Sequence, residues 1–181
     1  MLRRIIGPPL YQRGRGIMNL VGEEAANLGQ RVLVAGGKTA LSVSSDQIIA
    51  SLETAGLEVA AVEWYGGQCS WKNIYSLSAK AQEVQAQCIV GVGGGRALDA
   101  VKAAAFDCGL PIIAVPTIAA TCAAWTPLSA IYDDDGEYLE FSRRAALPHA
   151  VIVDTEIIAR APVRYLVSGL GDTLAKWYEL A

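Results

Sequence analysis

Residues 88–99, CIVGVGGGRALD, decide the fold of this chain. The stretch opens with an apolar run, which predicts a buried strand, passes through Gly93, Gly94 and Gly95, and leads into the start of a helix. A ligand can come close to a glycine backbone because no Cβ stands in the way. Free amides at the start of a helix also attract phosphate oxygens. Ligands of open α/β sheets bind at the carboxyl ends of the strands. The stretch therefore predicts a site for a phosphate-bearing ligand.

This turn does not match either of the common phosphate-binding fingerprints. Counting from Gly91, the sixth position of a GxGxxG pattern is Arg96, and no GKS or GKT sequence follows the glycines. The alternative interpretation is a tight strand-to-helix turn that holds no ligand.

Outward from this turn, short apolar runs alternate with longer amphipathic stretches. Strands are predicted at residues 31–35, 57–64, 88–92, 111–115 and 150–153, and helices at residues 44–55, 70–87, 97–106, 155–160 and from Pro162 to Trp177. This order predicts an α/β fold with a doubly wound, mostly parallel sheet and helices on both faces. The turn DDDG at residues 133–136 predicts a small hairpin, and Asp154 is a candidate helix N-cap.

The composition excludes several classes of protein. The chain has 181 residues, of which 52% are hydrophobic and 18% charged, and its formal net charge is −3. Disordered chains need low hydrophobicity and high net charge, and a pI near 5.2 gives no basic footprint for nucleic acid. So little charge predicts an apolar surface that a second domain, another subunit or a membrane would cover.

The membrane is the least favoured of these partners. Residues 108–132 contain no charged residue, but Pro111, Pro116 and Pro127 interrupt the run, which favours a buried strand followed by an apolar loop. Residues 1–10 lack the apolar core of a signal peptide.

Four cysteines without CxxC spacing and a single histidine, His149, give no zinc-finger pattern. We therefore expect a cytoplasmic protein with reduced thiols.

Two further stretches could carry chemistry. Residues 116–132, PTIAATCAAWTPLSAIY, follow the end of a strand and would suit a flat nicotinamide ring, although an ordinary hydrophobic loop has the same composition. Within it, Cys122 has no histidine nearby in sequence, which favours an inert thiol. In residues 166–179, LVSGLGDTLAKWYE, Asp172 lies among apolar neighbours and needs a metal, a basic side chain or solvent as its partner.

Four motifs together resemble one family. They are GVGGGRALDAVKA at residues 91–103, VPTIAATCAAWTPLSAIY at 115–132, VIVDTEIIARAP at 151–162 and SGLGDTLAKWYE at 168–179. In this order and spacing they resemble the glycerol dehydrogenase branch of the metal-dependent (iron-containing, group III) alcohol dehydrogenases. The sequence PTIAATCAAWTPLS is similar to that of a hydroxycarboxylate dehydrogenase-like subgroup. Glycerol-1-phosphate dehydrogenase and dehydroquinate synthase share the glycine loop and a metal site, and they are the alternative.

The resemblance implies two domains. Residues 1–161 would form a Rossmann-like dinucleotide-binding domain, and residues 162–181 would begin a helical metal-binding domain that is otherwise missing here. The family binds NAD or NADP and a divalent metal, zinc or iron, in the cleft between the domains. We therefore expect a small-molecule substrate, the helical domain and further copies of the chain as partners, with no nucleic acid and no membrane.

The same resemblance implies roles for individual residues. Gly93, Gly94, Gly95 and Arg96 would contact the pyrophosphate, and Asp99 would order that loop. The track from adenosine to nicotinamide would be lined by Thr117, Ala120, Thr121, Thr126, Leu128 and Tyr132. Asp172 matches the family's aspartate metal ligand, and two histidines of the helical domain would supply the other ligands.

Two departures from the family pattern concern specificity. Gly37, in AGGKT, stands where the family has an aspartate that holds the adenosine ribose, so Lys38 or Thr39 could bind a 2′-phosphate. The family's STDAP segment is ATCAA here, which puts Cys122 in place of a substrate-contacting aspartate, and Trp125 adds bulk. These changes predict NADP as readily as NAD, and a 2-oxo or 2-hydroxy acid rather than glycerol.

The implied reaction is hydride transfer between nicotinamide and the substrate, with the metal acting as a Lewis acid on the substrate oxygen. Because Asp172 would supply only one metal ligand, we expect the 181-residue chain to be inactive by itself. The alternative from another class is a dinucleotide-binding module without catalysis.

Overall fold

In a computed structural model, residues 7–179 form eight strands and six helices. The strands are β1 (Leu10–Gly14), β2 (Arg31–Gly36), β3 (Glu58–Trp64), β4 (Cys88–Gly93), β5 (Ile112–Pro116), β6 (Ser129–Tyr132), β7 (Tyr138–Ser142) and β8 (Ala150–Asp154). The helices are α1 (Leu20–Ala26), α2 (Lys38–Thr54), α3 (Trp71–Glu83), α4 (Gly95–Cys108), α5 (Thr155–Arg160) and α6 (Val163–Glu179).

Six of the strands form one parallel sheet in the order β1-β8-β5-β4-β2-β3. The chain leaves β2 toward β3 on one side and leaves β4 toward β5 on the other side. The crevice between β2 and β4 is therefore the point where the winding of the sheet reverses, which is where ligands of such sheets bind. The predicted doubly wound α/β fold is confirmed.

The core lies on both faces of the sheet because side chains alternate along each buried strand. On β2, Val32 and Val34 pack in the cluster with α1 and α2, whereas Leu33 and Ala35 pack in the cluster with α3 and α4. Helix α4 is the most deeply buried helix, with nine buried residues among fourteen. It starts at the glycine turn, so its position determines the position of that turn.

The structure differs from the predicted elements in three places. Strand β1 and helix α1 were not predicted, because the edge strand alternates exposed and half-buried residues and gives no apolar run. Helix α2 begins at Lys38, six residues before the predicted start, with the extended Gly37 as its N-cap. Helix α3 ends at Glu83 rather than Gln87, because Gln85 has a left-handed φ of 53°.

The hairpin, the N-cap and the final helix agree with the sequence patterns. Strands β6 and β7 pair antiparallel across the DDDG turn, and Asp154 accepts a hydrogen bond from the Glu156 amide at the start of α5. The predicted domain boundary at residues 161 and 162 falls between α5 and α6 and stays a prediction. The basic N-terminal pair and the last two residues lie outside the described part, residues 7–179. Among these described residues, no helix is long and apolar enough to cross a membrane.

Candidate functional site

A cleft of ≈ 1050 Å³ lies at the carboxyl ends of the parallel strands. Its wall includes the segment after β2, the turn after β4, the start of the loop after β5, and the end of β8 with the helices that follow it. Of the residues predicted to bind the cofactor, those lining the cleft are Gly37, Lys38, Thr39, Gly93, Gly94, Gly95, Arg96, Thr117 and Ala120. The cleft therefore coincides with the reversal point of the sheet.

The glycine turn after β4 has little room for side chains. Gly93 has a φ of +149°, and a Cβ there would lie 2.8 Å from the Cβ of Ala97. A Cβ on Gly94 would lie 2.5 Å from Cδ1 of Ile118. The carbonyl of Gly93 accepts a hydrogen bond from the Thr117 amide at 3.1 Å. The turn is thus packed closely against α4 and the start of the loop after β5, and its glycines line the cleft.

Helix α4 begins in this turn with Gly94 as its N-cap, and no side chain caps it. The first amides of a helix lack partners within the helix, and they carry the positive end of its dipole. The fourteen-residue helix therefore presents hydrogen-bond donors and partial positive charge to the cleft, which suits a phosphate or pyrophosphate.

The segment after β2 forms the second wall and carries positive charge. Nζ of Lys38 lies 4.0 Å from the ring centroid of Trp64, whose side chain is half-exposed at the end of β3. Residues 36–40, GGKTA, contain no carboxylate. Arg96 also lines the cleft, and its guanidinium lies 5.2 Å from the ring centroid of Tyr132. Tyr132 is thus connected to the site through Arg96 and is not part of the cleft lining.

Two carboxylates line the cleft, and both have protein partners. Asp154 is buried and accepts hydrogen bonds from the amides of Gly16 and Ile17, each at 3.1 Å. Glu156 pairs with Arg15 at 3.2 Å and with Arg160. The sequence identified Asp154 only as an N-cap, whereas the structure has it joining the end of β8 to the segment after β1.

The loop between β5 and β6 divides into two parts. Thr117 and Ala120 are buried and line the cleft, whereas Thr121, Thr126, Leu128, Cys122 and Trp125 lie outside its lining. Thr121 accepts a hydrogen bond from the Ala123 amide at 3.2 Å, and the ring of Trp125 packs edge-on against Tyr11. Of the six residues predicted to line the track from adenosine to nicotinamide, only the first two, Thr117 and Ala120, line the cleft.

A buried ion pair stands behind this loop. Lys102, on α4, is fully buried, and its Nζ lies 2.8 Å from Oδ1 of Asp99. The other oxygen of Asp99 accepts a hydrogen bond from the Ala130 amide at 3.1 Å. Burial raises the pKa of Asp99 and lowers that of Lys102, and the opposite charge of each partner opposes both shifts. Lys102 was not among the predicted site residues, although it stands within the apolar stretch AVKAAAF at residues 100–106.

Asp172, the predicted metal ligand, is half-buried on α6 and has a basic partner. Its Oδ1 lies 3.6 Å from Nζ of Lys176. Within residues 7–179, no group of three or more His, Cys, Asp or Glu side chains is arranged to hold a metal ion. The described residues do not form a metal site by themselves.

The four cysteines are all free, as their spacing predicts. Burial raises the pKa of Cys69 to about 12 and that of Cys88 to about 11. Cys122 is exposed on the loop after β5.

A doubly wound parallel sheet with a glycine turn at its reversal point defines a Rossmann-like α/β domain. Residues 8–155 match the family described as "Iron-containing alcohol dehydrogenase". The chain belongs to the iron-containing alcohol dehydrogenase family.

Individual relatives agree with the resemblance that the four motifs indicate. A glycerol dehydrogenase of Escherichia coli is 41% identical over 179 residues, which cover 99% of this chain and 48% of that protein. Hydroxycarboxylate dehydrogenase A of Escherichia coli is 39% identical over 180 residues, which cover 98% of this chain and 48% of that protein. The crystal structure of a probable glycerol dehydrogenase from Sinorhizobium meliloti has a TM-score of 0.88 at 34% identity and covers 98% of this chain and 48% of its own. The chain spans about half the length of the curated relatives it matches.

Proposed function

We propose that this chain binds a nicotinamide dinucleotide in the cleft, as the dinucleotide-binding part of a metal-dependent dehydrogenase. The observation that carries the proposal is the glycine turn at residues 93–95, which leads into α4 where the winding of the sheet reverses. The amides and the dipole of that helix end would stabilise a pyrophosphate, with Arg96 as a charged neighbour. The names of the relatives support a dehydrogenase activity.

The adenosine half of the ligand would lie along the segment after β2. Because no carboxylate follows this strand at residues 36–40, nothing there repels a 2′-phosphate. Lys38 supplies a positive charge beside Trp64, and the two cleft-lining carboxylates already have partners. We propose that the chain prefers NADP(H) to NAD(H), with Lys38 and Thr39 beside the extra phosphate.

The nicotinamide half would extend toward the loop after β5. When bound, this ring supplies or accepts the hydride. Thr117 and Ala120, which are buried in the cleft lining, would position the ring and keep water from it. Thr121, Thr126 and Leu128 stay predicted contacts, because a ligand would have to extend beyond the cleft to reach them.

The substrate is proposed to be a small alcohol, a polyol or a 2-hydroxy or 2-oxo acid. Cys122 in place of a carboxylate, with the bulk of Trp125 nearby, favours the acid. A metal ion bound in part by Asp172 belongs to the proposal for the whole enzyme. The described residues offer no complete ligand set for it. We therefore expect this chain alone to bind dinucleotide without turnover of glycerol or 2-oxobutyrate.

Calorimetric titration of the chain with NADPH and with NADH tests the proposal. We expect NADPH to bind more tightly. Lys38→Ala should weaken NADPH binding by about tenfold, the loss of roughly 1.4 kcal/mol, and leave NADH binding nearly unchanged. Lys72→Ala is the matched control, because Lys72 is an exposed lysine on α3 outside the cleft lining.

The outcomes separate the parts of the proposal. If the chain binds neither dinucleotide, the dinucleotide site is wrong. Binding with equal affinity for both, or NADPH binding that Lys38→Ala leaves unchanged, would contradict the preference for NADP(H). Turnover by the chain alone would contradict the expectation that it is inactive by itself.

A further inference from the structure

Lys102 is a fully buried lysine in the second turn of α4. Its Nζ donates hydrogen bonds to the carbonyls of Ala123 at 2.7 Å and Thr126 at 2.9 Å, and also to that of Leu128. The same atom is paired with Asp99. An ammonium group has three N–H donors, and the three carbonyls take up all of them. The buried ammonium group therefore directs all of its hydrogen bonds to one loop.

The part of the loop that Lys102 contacts, residues 123–128, has few other polar contacts. Among residues 7–179, the backbone of residues 118–128 makes one hydrogen bond within the loop, from the Trp125 amide to the Cys122 carbonyl. Trp125 is 41% exposed and Leu128 is 37% exposed. Ordering a residue costs about 1–2 kcal/mol of backbone entropy, and the loop offers little apolar burial to offset that cost. The three charge-assisted bonds to Lys102 are the main polar contacts that fix its path.

Asp99 extends this connection to the end of the loop. Its carboxylate accepts the Ala130 amide, and its main-chain carbonyl accepts the Ser129 hydroxyl at 2.8 Å. Helix α4 thus holds the loop at both of these points, while its own first residue, Gly95, lies in the cleft. Helix α4 therefore fixes the position of the glycine turn and also the path of the loop.

We propose that Lys102, supported by Asp99, is a positioning residue that holds the loop of residues 117–128, whose first part, with Thr117 and Ala120, lines the nicotinamide side of the cleft. The inference rests on the proposed function, because it assigns the two halves of the dinucleotide to two segments joined by α4. The glycine turn binds the pyrophosphate without help from Lys102, whereas the loop binds the nicotinamide half only when Lys102 holds it.

The test compares two ligands on one variant. Lys102→Met keeps the length of the side chain and removes its donors and charge. We expect the variant to bind NADPH at least about tenfold more weakly than the unaltered chain. It should bind 2′-phospho-ADP, which lacks the nicotinamide half, within about twofold of the unaltered chain. A general structural role would weaken both ligands together.

A matched control removes a buried polar contact far from the loop. Ser51 is buried between α1 and α2, where its hydroxyl accepts from the Gly22 amide and donates to the Asn19 carbonyl. Ser51→Ala should lower stability and leave the ratio of the two affinities unchanged. Where Lys102→Met fails to fold, Asp99→Asn replaces it and should change the ratio in the same direction.

Hydrogen exchange provides a readout that needs no ligand. In Lys102→Met, the amides of Ala123 and Trp125, which are hydrogen-bonded within the loop, should exchange faster, while those in the interior of α4 keep their protection. Equal loss of both ligands, or a loop whose exchange is unchanged, would overturn the proposal. If the unaltered chain binds neither ligand, the proposed function fails, and the exchange measurement still decides whether Lys102 holds the loop.

Discussion

At the scale of single residues, the buried thiols of Cys69 and Cys88 have a consequence for stability. Burial favours the protonated thiol, so the pKa of each is raised above its ordinary value of 9.0. Above that pH, the unfolded chain has lost the two protons that the folded chain keeps. Unfolding then releases protons, and stability falls as the pH rises.

We expect the free energy of unfolding to fall by about 1.4 kcal/mol per buried thiol between pH 8 and pH 10. Urea denaturation at the two pH values measures this loss. The double variant Cys69→Ala/Cys88→Ala should lose clearly less over the same range. Cys122→Ala, which removes an exposed thiol, is the control and should behave like the unaltered chain. Equal pH dependence of the double variant and the unaltered chain would contradict the prediction.

Single residues also show where sequence patterns stop being informative. The glycine turn and Lys38 were predictable because strand ends at one edge of a parallel sheet must lie close together. Lys102 was not, because a lysine in a helix is usually solvated, and only the packing of β6 and the loop against α4 buries it. Thr121 and Thr126 follow a strand end in sequence, yet the loop turns them out of the cleft lining.

At the scale of secondary structure, helix α6 contains two glycines with different surroundings. A Cβ on Gly169 would lie 2.0 Å from the carbonyl oxygen of Ala119, whereas a Cβ on Gly171 would meet nothing within 4 Å. The first glycine is therefore required by the close approach of α6 to the loop after β5. The second one only loosens the helix, because glycine has more backbone freedom to lose than alanine.

The two glycines should therefore respond oppositely to the same change. Gly171→Ala should stabilise the chain by about 0.5–1 kcal/mol. Gly169→Ala should destabilise it by about 1–3 kcal/mol, since the added methyl overlaps backbone that cannot move aside cheaply. Urea denaturation of the pair measures both effects. Equal stabilisation by both substitutions would show that α6 does not rest on the loop.

The predicted elements succeeded or failed for reasons of local pattern. Strands β2, β4, β5 and β8 were found because burial on both faces demands continuous apolar runs. The edge strand β1 was missed because it alternates half-buried and exposed positions, so its pairing with β8 depends on the rest of the sheet. The early start of α2 had no signal, since Gly37 is an extended N-cap without a side chain.

At the scale of the whole molecule, burial is unevenly distributed. Helix α4 has nine buried residues, whereas none of the residues of α6 is buried. Leu166, Leu170, Leu174 and Trp177 recur along α6 and are 53%, 58%, 69% and 79% exposed. The low charge content of the chain predicted an apolar surface, and α6 supplies one.

We expect hydrogen exchange to separate these two helices. Amides with few buried contacts around them open locally, whereas core helices exchange only through larger unfolding. The amides of α6 should therefore be at least about a hundredfold less protected than those of α4 in dilute solution. Repeating the measurement at higher protein concentration checks whether association covers the apolar face. Equal protection of both helices at the lowest concentration would contradict the prediction.

The architecture as a whole was predictable, and the completeness of the site was not. Alternation of short strands and helices leaves few arrangements other than a parallel sheet with helices on both faces. By contrast, a complete metal ligand set needs side chains from several elements, which local pattern does not reveal. Helical spacing alone makes Lys176, one turn further along α6, available to Asp172.

The pairing of β1 with β8 also governs how the chain can fold during synthesis. Leu10 lies beside Ala150 in the finished sheet, so an early segment must wait for one made about 140 residues later. Closing a segment of that length costs about 4 kcal/mol of chain entropy. At ribosomal speeds of roughly 5–20 residues per second, the wait is about 7–28 s. Throughout that time β1 has no partner strand, and an unpaired strand edge is prone to pairing with other chains.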